Sequence, residues 1–315
     1  MQAEKIALLF PGQGSQYVGM GEDFYQNFKV AREVFAEASE SLGEDMAKTC
    51  FAASKEELNQ TANTQPAILT ASIATLKVLF QELGIKPVML AGHSLGEYSA
   101  LVASGAVSFF DAVRVVRARG KFMQTAVPFG LGTMAAVLGM KTEVIEEICA
   151  ETSQKAGKVV EPANYNCPGQ VVISGHVPAV DEATAKAKDE GASRAVKLPV
   201  SAPFHCSLME PAARKLADQF SEVKVQDPRI DVISNVDADT NYSAASIRDL
   251  LVRQVSSAVR WEESMNLMIA KGVTRVVEVG PGRVLSGLMK RINRRIKTHN
   301  IENCADLEKL AAALS

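Results

Sequence analysis

Short runs of consecutive apolar residues, each followed by glycines, recur along the chain. They are residues 5–10, 88–91 and 273–279, and the loops after them contain Gly12 and Gly14, Gly92, and Gly280 and Gly282. Runs of this length that end in glycine or proline are typical of buried strands. Helical periodicity follows each run, so the pattern predicts an α/β fold with a mostly parallel sheet. Because ligands of such sheets bind beyond the carboxyl ends of the strands, we expect the three glycine loops to face one cleft.

A different order of elements is predicted between residues 129 and 199. The predicted elements are strand 133–138, helix 142–154, strands 159–164 and 170–175, helix 179–190 and strand 193–198. This βαββαβ order is the signature of a ferredoxin-like domain. We therefore expect a large α/β domain of residues 1–128 and 200–315, with a small ferredoxin-like domain of residues 129–199 inserted into it. The predicted crossing points are residues 128–130 and 199–201.

Composition narrows the class of protein. The 315 residues are 47% hydrophobic, which is enough for a substantial core. The 34 basic and 36 acidic residues are well mixed and give a net charge of −2, so nucleic acid is not expected as a partner. The five cysteines are scattered and lack C-x-x-C spacing, which predicts neither disulfides nor a zinc site and favours a reducing cytoplasm.

The apolar runs are too short for targeting or membrane segments. Only five apolar residues precede Pro11, so a signal peptide is not predicted. No later run approaches the roughly 18 apolar residues of a membrane span. We therefore expect a soluble protein that is not exported and does not bind a membrane.

Gly92-His93-Ser94-Leu95-Gly96 follows the second predicted strand and precedes a helix-like segment. It fits G-x-S-x-G, the strand–turn–helix elbow that exposes a nucleophilic serine above a sheet. The five letters alone would also suit an ordinary turn, since glycine and serine are common there. The strand before and the helix after favour the interpretation of Ser94 as a nucleophile.

A nucleophilic serine needs a base within hydrogen-bond reach, and the chain has four histidines. His93 adjoins Ser94, but neighbouring side chains diverge in an elbow, so we expect a packing or hydrogen-bonding role for it. His176 and His299 are expected at the surface. His205 lies on an irregular segment where the chain returns to the large domain, and it is favoured as the base.

These motifs belong to a series that resembles the malonyl-CoA:acyl-carrier-protein transacylases. The matching blocks are residues 10–16 (FPGQGSQ), 92–97 (GHSLGE), the region around Arg119, residues 203–205 (PFH), Gln254 with residues 259–261 (VRW), and residues 278–282 (EVGPG). Each block is modest alone, but together they are specific and span nearly the whole chain. The resemblance implies an α/β-hydrolase-like large domain with a ferredoxin-like insertion, in agreement with the division above.

The resemblance implies a role for each reacting group. It assigns Ser94 as nucleophile and His205 as base, with no aspartate as a third member. Gln254 would orient the histidine through an oxygen acceptor, which fixes the tautomer without a full negative charge. Ala258 stands where the family usually has proline, and this departure concerns the backbone that places Gln254.

Main-chain N–H groups are expected to stabilise the oxyanion of the tetrahedral intermediate. Leu95 follows the nucleophile at a helix N-terminus, where its N–H is free and the helix dipole favours negative charge. The resemblance implies Gln13 as the second donor, between glycines that allow close approach. Neither glycine loop is a dinucleotide fingerprint, because Tyr17 and Leu285 stand where G-x-G-x-x-G requires glycine.

A malonyl group carries a free carboxylate, which a specific site must bind with a fixed cation. Arg114, Arg117 and Arg119 lie on one predicted helix and compete for this role. The planar guanidinium binds a carboxylate through two parallel hydrogen bonds. The resemblance selects Arg119. Phe204 matches the residue found in the malonyl-selective members, where a bulky side chain at this position restricts branched acyl groups. It could equally have a packing role in the core.

The resemblance also implies the substrates and the path they take. Asn164, with Tyr165 and Asn166, would line the acyl and pantetheine path, although asparagine-rich segments are also common turns. The implied reaction is ping-pong transfer from malonyl-CoA to the phosphopantetheine thiol of acyl-carrier protein, through a malonyl-serine ester. Neither a metal nor a redox cofactor is expected, and the chain would act as a monomer in cytoplasmic fatty-acid biosynthesis.

Acyl-carrier proteins are acidic, so a basic surface near the cleft is expected. The densest basic run is residues 290–297, which contains Lys290, Arg291, Arg294 and Arg295. It is interpreted as a solvated amphipathic helix, and carrier docking is the functional alternative.

Two other classes of function remain open from the sequence. A serine esterase or thioesterase would use the same elbow, histidine and oxyanion donors. Arg119 argues against it, as does the lack of an evident triad acid, since Asp111, Asp181 and Asp189 are poorly placed. A non-catalytic carrier-binding module would form no acyl-enzyme.

Overall fold

Two sheets and the helices around them account for the part of the chain that the computed structural model describes, residues 4–200 and 202–314. The strands are β1 (Ile6–Phe10), β2 (Met89–Gly92), β3 (Gly132–Leu138), β4 (Val160–Cys167), β5 (Gln170–His176), β6 (Arg194–Lys197), β7 (Asp231–Ile233), β8 (Arg275–Val279) and β9 (Lys297–Ile301). The first seven helices are α1 (Glu22–Asn27), α2 (Lys29–Leu42), α3 (Met46–Phe51), α4 (Lys55–Leu58), α5 (Thr61–Leu83), α6 (Gly96–Ala103) and α7 (Phe109–Gln124). The others are α8 (Thr142–Ala156), α9 (Val177–Asp189), α10 (Glu210–Phe220), α11 (Ile247–Ser256), α12 (Trp261–Ala270), α13 (Val284–Ile292) and α14 (Cys304–Leu314).

The larger sheet is parallel and has the strand order β7-β2-β1-β8-β9. The three predicted strands, β1, β2 and β8, lie at its centre and are almost entirely buried, which explains their mostly apolar sequences. In β8 the buried Arg275 and Glu278 interrupt the apolar run. The two edge strands were not predicted. β7 has only three residues, and β9 is mostly polar and half-exposed, as edge strands commonly are.

The smaller sheet is antiparallel and has the order β4-β5-β3-β6. Helices α8 and α9 pack together and against this sheet. All six predicted elements are present in the predicted order, and this βαββαβ arrangement is ferredoxin-like. The domain boundaries at residues 128/129 and 199/200 stay a prediction, and Ser201, at one predicted crossing, lies outside the described residues.

Helix α5 runs through the core of the larger domain, where α2 and α7 pack against it. Its length and mean hydropathy of 1.2 would suit a membrane span, a property not expected from the sequence. However, 72% of its most apolar window is buried inside the protein, as in the core helix of a globular fold. It is the one helix of this kind within residues 4–200 and 202–314.

The small domain contacts the large one at the site of interest. Strand β4 reaches the segment before α12, where the Tyr165 N–H donates to Val259 O and the Val259 N–H donates to Ala163 O, both over 2.9 Å. These bonds fix β4 beside the carboxyl ends of the central parallel strands. The cleft between the two sheets is therefore lined from both domains.

Candidate active site

Ser94 occupies a tight turn between β2 and α6. Its φ of 51° lies in the left-handed region, which costs a residue with a side chain roughly 1–2 kcal/mol. The His93 N–H donates to Phe10 O over 3.0 Å and ties the turn to the end of β1. The serine is therefore held above the carboxyl ends of two central strands, in the geometry of an elbow.

The two glycines of this turn have no room for a side chain. A Cβ on Gly92 would lie 1.9 Å from the main chain of Gly96, and a Cβ on Gly96 would lie 2.0 Å from Phe10 O. Both contacts involve main-chain atoms, which cannot rotate away. The G-x-S-x-G pattern thus reflects close packing of the turn on itself and on β1.

We expect Gly96→Ala to lower the free energy of unfolding by about 3 kcal/mol, because the added methyl group overpacks against the main chain. Gly287→Ala is the matched control, since a Cβ at this exposed helical position meets no atom within 4 Å. Alanine there should raise stability by up to about 1 kcal/mol. Denaturant unfolding measures both changes, and equal stability of the two variants would contradict the packing described above.

His205 lies directly against the serine hydroxyl. Ser94 Oγ is 2.7 Å from His205 Nε2, and the imidazole is almost fully buried. On the other side of the ring, Nδ1 lies 2.9 Å from the main-chain oxygen of Gln254 and 3.2 Å from that of Ser257. Two carbonyl acceptors favour the tautomer with hydrogen on Nδ1, which leaves Nε2 to accept the serine proton.

Gln254 offers the histidine its main-chain oxygen, whereas its side chain points elsewhere. Helix α11 ends at Ser256, so this oxygen belongs to the last turn, where carbonyls lack a helical partner. Ser257 is extended, with φ −116° and ψ 154°, as is typical of a residue before proline. The residue before Ala258 therefore has the extended conformation that the family's proline would favour. The main-chain oxygen of Gln254 is in contact with His205 Nδ1.

Arg119 reaches the serine from helix α7. Its Nη2 donates to Ser94 Oγ over 3.1 Å and to the side-chain oxygen of Gln254 over 2.8 Å. Its Nη1 donates to Gln65 Oε1 over 2.8 Å. The guanidinium is 1% exposed, so a fixed positive charge lies beside the nucleophile.

The structure separates the three candidate arginines. Arg114 is exposed, and Arg117 forms an ion pair with Glu44. Arg119, by contrast, has no carboxylate within 4.0 Å among the described residues. Its Cζ lies over the ring of Tyr98, 5.4 Å from the ring centroid. Burial lowers the pKa of Arg119, but a guanidinium remains charged in proteins. An anionic acyl group would therefore find a desolvated cation without an ionic partner.

The imidazole is uncharged in the substrate-free site. Burial, followed by the positive charge of Arg119, lowers the pKa of His205 to about 3. The ring is neutral at physiological pH, as a general base must be. The same low pKa makes it a weak base until the charge of Arg119 is offset.

The other histidines do not touch the serine hydroxyl. His93 Nε2 lies 2.9 Å from Asn166 Oδ1, which agrees with the hydrogen-bonding role expected for it. His176 and His299 are half-buried, so they lie at the surface as expected but are only partly exposed. His176 ends β5 and accepts a hydrogen bond from the Val159 N–H, and His299 lies within β9, so strand pairing removes both from full exposure.

Gln13 and Leu95, the predicted oxyanion donors, line one cavity with Ser94. Neither main-chain N–H has an acceptor within residues 4–200 and 202–314. Leu95 directly precedes α6, where N–H groups lack helical partners. The two donors are therefore free to bind an oxyanion in this cavity.

The cavity above the serine measures about 110 Å³. Its lining includes the predicted substrate-binding residues Arg119, Phe204 and Asn164, together with Met123, Met134, Leu198 and Val200. Phe204 is also part of the large hydrophobic core, so both interpretations of this residue apply. A larger cavity of about 580 Å³ between α2, α5 and the segment after α6 contains none of the predicted site residues.

A second cavity of about 250 Å³ adjoins the first. Asn164 lines both cavities, Asn166 lines the second, and Tyr165 instead donates to Glu146 Oε1. Successive residues of a strand face opposite sides, which explains this alternation along β4. The three residues therefore form a strand and not the turn that was the alternative expectation.

Three residues of the site were not found from the sequence. Gln65 holds Arg119, Glu97 accepts a hydrogen bond from the Gln254 side chain, and Asn235 holds both sides of the elbow. The Ser94 N–H donates to Asn235 Oδ1 over 2.7 Å, and Asn235 Nδ2 donates to Gly92 O over 2.8 Å. For these three residues the only available sequence signal was the charge of Glu97 near the otherwise apolar start of α6.

The basic run 290–297 is not one helix, contrary to the prediction. Helix α13 ends at Ile292, and Arg294 and Arg295 lie in the turn before β9. Lys290 is exposed on the last turn of the helix, and Arg291 donates to Gln170 Oε1 over 2.7 Å. Gln170 lines the second cavity, so this basic surface lies beside it.

Within residues 4–200 and 202–314, no group of three or more His, Cys, Asp or Glu side chains is arranged to hold a metal ion. The cysteines described there are not joined in disulfides. The site geometry therefore consists of a serine, a histidine, an arginine and main-chain donors.

Comparisons with known proteins agree over nearly the full length. The acyl transferase domain family matches residues 7–310. A Bacillus subtilis (strain 168) protein named malonyl CoA-acyl carrier protein transacylase is 50% identical over 304 residues, which cover 96% of this chain and 95% of the relative.

Solved structures show the same fold. An acyl carrier protein S-malonyltransferase from Vibrio cholerae superposes with a TM-score of 0.94 at 47% identity, covering 98% of this chain and 100% of the other. A malonyl-transacylase solved with its type II polyketide synthase acyl-carrier protein has a TM-score of 0.95 at 44% identity, covering 98% and 100%. The chain therefore belongs to the malonyl-CoA:acyl-carrier-protein transacylases, within the acyl transferase domain family.

Proposed function

We propose that this chain transfers a malonyl group from malonyl-CoA to the phosphopantetheine thiol of acyl-carrier protein, through an ester on Ser94. One observation carries the proposal. Ser94 Oγ lies 2.7 Å from a neutral histidine and 3.1 Å from a buried arginine that has no ionic partner among the described residues. A nucleophile between a base and a buried cation that forms no direct ion pair suits an acyl group that carries a carboxylate.

In the first half-reaction, Ser94 Oγ attacks the thioester carbon while its proton moves to His205 Nε2. The carbonyl electrons collect on the oxygen, and the N–H groups of Gln13 and Leu95 stabilise this oxyanion. Collapse of the intermediate breaks the C–S bond. His205 returns the proton to the departing sulfur, which leaves as the thiol of CoA, and the malonyl ester remains on Ser94.

The malonyl carboxylate binds Arg119 and thereby increases the basicity of His205. In the substrate-free site the charge of Arg119 is, after burial, the main cause of the lowered pKa of His205. A carboxylate on the guanidinium offsets that charge, so the imidazole becomes a stronger base when malonyl is bound. In the second half-reaction the carrier thiol gives its proton to His205, and its sulfur attacks the ester carbon. Collapse of this intermediate breaks the bond to Ser94 Oγ, which takes the proton back from His205 Nε2, and the malonyl group leaves as a thioester of the carrier.

Intact-protein mass spectrometry tests the proposal directly. Brief mixing with malonyl-CoA should give one malonyl adduct, and subsequent addition of acyl-carrier protein should move this adduct to the carrier. Rapid release of free malonate in the presence of the carrier would instead indicate a hydrolase. The lack of any adduct would indicate a non-catalytic carrier-binding protein.

We further propose that Lys290, Arg291, Arg294 and Arg295 dock the acidic carrier, because all four are exposed in one short basic segment and Arg291 binds Gln170, which lines the second cavity. Reversing Arg294 and Arg295 to glutamate should raise the KM for the carrier by about tenfold and reduce its salt dependence. Acylation by malonyl-CoA should not change. Reversing Arg214 and Lys215 on α10, also an exposed adjacent pair, is the control. An unchanged KM and salt dependence after the first reversal would rule out docking at these residues.

The remaining features of the proposal follow from the family and from composition. The reaction takes place in the cytoplasm, in fatty-acid biosynthesis, and the chain acts as a monomer. It requires no metal or redox cofactor, because the proton transfer and charge stabilisation proposed above use side chains and main-chain N–H groups. The large and small domains divide at residues 128/129 and 199/200.

A further inference from the structure

A buried carboxylate lies behind the candidate site. Glu97, in the first turn of α6, has no exposed surface. Its Oε1 accepts from the Asn235 N–H over 3.0 Å and from the Tyr242 hydroxyl, and its Oε2 accepts from Gln254 Nε2 over 2.6 Å. All three partners are donors, so the surroundings suit an ionised carboxylate, which accepts at both oxygens.

The Gln254 side chain connects this carboxylate to Arg119. Its Nε2 donates to Glu97 and to the main-chain oxygen of Ser94, and its Oε1 accepts from Arg119 Nη2 over 2.8 Å. A guanidinium has only donors and an ionised carboxylate only acceptors. The amide can therefore bridge the two in one orientation only.

Opposite charges at the two ends reinforce this arrangement. Burial lowers the pKa of Arg119, and the negative charge of Glu97 counteracts that effect. Burial raises the pKa of Glu97 to about 7, and hydrogen bonds from Tyr242, Gln254 and Asn235 together with the charge of Arg119 counteract that effect. Each charged group thus favours the ionised form of the other.

We propose that Glu97 is a positioning residue for acyl-group selectivity, which acts by fixing the Gln254 amide so that its oxygen holds Arg119. The inference rests on the proposed function, because it assigns Arg119 to the malonyl carboxylate. His205 is oriented by the main-chain oxygen of Gln254, which does not depend on the orientation of the side-chain amide. Glu97 therefore controls the recognition of anionic acyl groups more than the thioester chemistry.

Glu97→Gln tests the inference with almost no change in size. The Asn235 N–H and the Tyr242 hydroxyl both donate to the Oε1 position, so the glutamine oxygen stays there. The new NH2 group therefore faces Gln254. The Gln254 amide must then turn and present its own NH2 group to Arg119. We expect the ratio of kcat/KM for malonyl-CoA to that for acetyl-CoA to fall by about tenfold. Loss of the Gln254 hydrogen bond to the Ser94 main-chain oxygen acts on both transfers alike, so the ratio is the measured quantity.

Two further variants separate this role from a structural one. Tyr242→Phe removes a different hydrogen bond to the same carboxylate, leaves the Gln254 contact in place, and should keep the natural ratio. In an Arg119→Ala background, Glu97→Gln should cause no additional change in the ratio, because both substitutions act on one interaction. Equal losses of malonyl and acetyl transfer in Glu97→Gln would overturn this inference alone, whereas failure of the natural chain to form an acyl-enzyme would overturn the proposed function.

The natural chain offers a second measurement that does not depend on the folding of a variant. Protonation of Glu97, whose burial raises its pKa to about 7, adds one donor to a group that otherwise only accepts, so the carboxyl no longer restricts the amide to one orientation. The malonyl-to-acetyl ratio should therefore fall as pH decreases through about 7, and it should be independent of pH in Glu97→Gln. A ratio that changes with pH in the same way in the natural chain and in Glu97→Gln would overturn the inference.

The other charged or titratable groups around Glu97 do not change charge in that range. Burial raises the pKa values of Tyr98 and Tyr242 and lowers those of His205, His93 and Arg119. Asp237, which faces Tyr242, has a lowered pKa because it accepts from Arg253 and Asn241, and it stays ionised. A change of selectivity near pH 7 would therefore report on Glu97.

Discussion

Ser94→Ala is expected to abolish the malonyl adduct and to lower the rate of transfer to the carrier by about four to six orders of magnitude. The reason is that, among the described residues, the Ser94 hydroxyl is the group that lies 2.7 Å from the neutral His205 Nε2 and within the cavity lined by Gln13 and Leu95. Without it, no ester can form. Intact mass after rapid quenching, together with the rate of carrier malonylation, measures both effects.

Ser99→Ala is the matched control for this substitution. Ser99 lies on α6, is also fully buried, and its hydroxyl has no hydrogen-bond partner among the described residues. Its removal deletes the same kind of hydroxyl, on the helix that follows the elbow but without contact to His205, so the adduct should form normally. An adduct on Ser94→Ala, or its loss in both variants, would contradict the assignment of the nucleophile.

Arg119→Ala should have the second largest effect, and the effect should depend on the acyl group. We expect kcat/KM for malonyl-CoA to fall by about 10²–10³, as for removal of one partner of a buried charge pair. Transfer of uncharged acetyl should be spared or raised, because the positive charge that contributes to the low pKa of His205 disappears. Steady-state transfer from the two thioesters provides the comparison.

Arg117→Ala controls for the loss of a buried arginine from the same helix. Arg117 pairs with Glu44 and Asn63, so its removal should reduce stability without changing the preference for malonyl over acetyl. Equal losses of malonyl and acetyl transfer in Arg119→Ala would contradict the binding of the carboxylate by Arg119.

The sequence predicts the central part of the fold because burial on both faces produces continuous apolar runs. The strands β1, β2 and β8 follow from this pattern and from the glycines after them, and the small domain follows from its predicted order of strands and helices. The edge strands β7 and β9 could not be found in this way, since one is very short and the other is polar. The break in the basic run 290–297 was missed because charge does not indicate where a helix ends.

The site could be predicted where its signal is local. Ser94 lies in a motif of five residues, and His205 is one of only four histidines. Their contact joins positions 111 residues apart, so the geometry required the fold. Asn235 follows the unpredicted β7 and acts on the elbow across 141 residues, and no sequence pattern marks it. Gln254 was identified through family resemblance, but its use of a main-chain oxygen appears only in the structure.

The connectivity of the parallel sheet constrains the order in which the nascent chain can fold. Strand β1 pairs with β8, so the pairing of Ile6 with Arg275 cannot form until residue 275 has left the ribosome. All strands of the small sheet, by contrast, are present once Lys197 has been synthesised. Pairing over such a sequence distance is slow, because a long loop must close first. The inserted domain can thus fold during translation beside an unfinished parallel sheet, in which β1 pairs with β2 long before β8 covers its other edge.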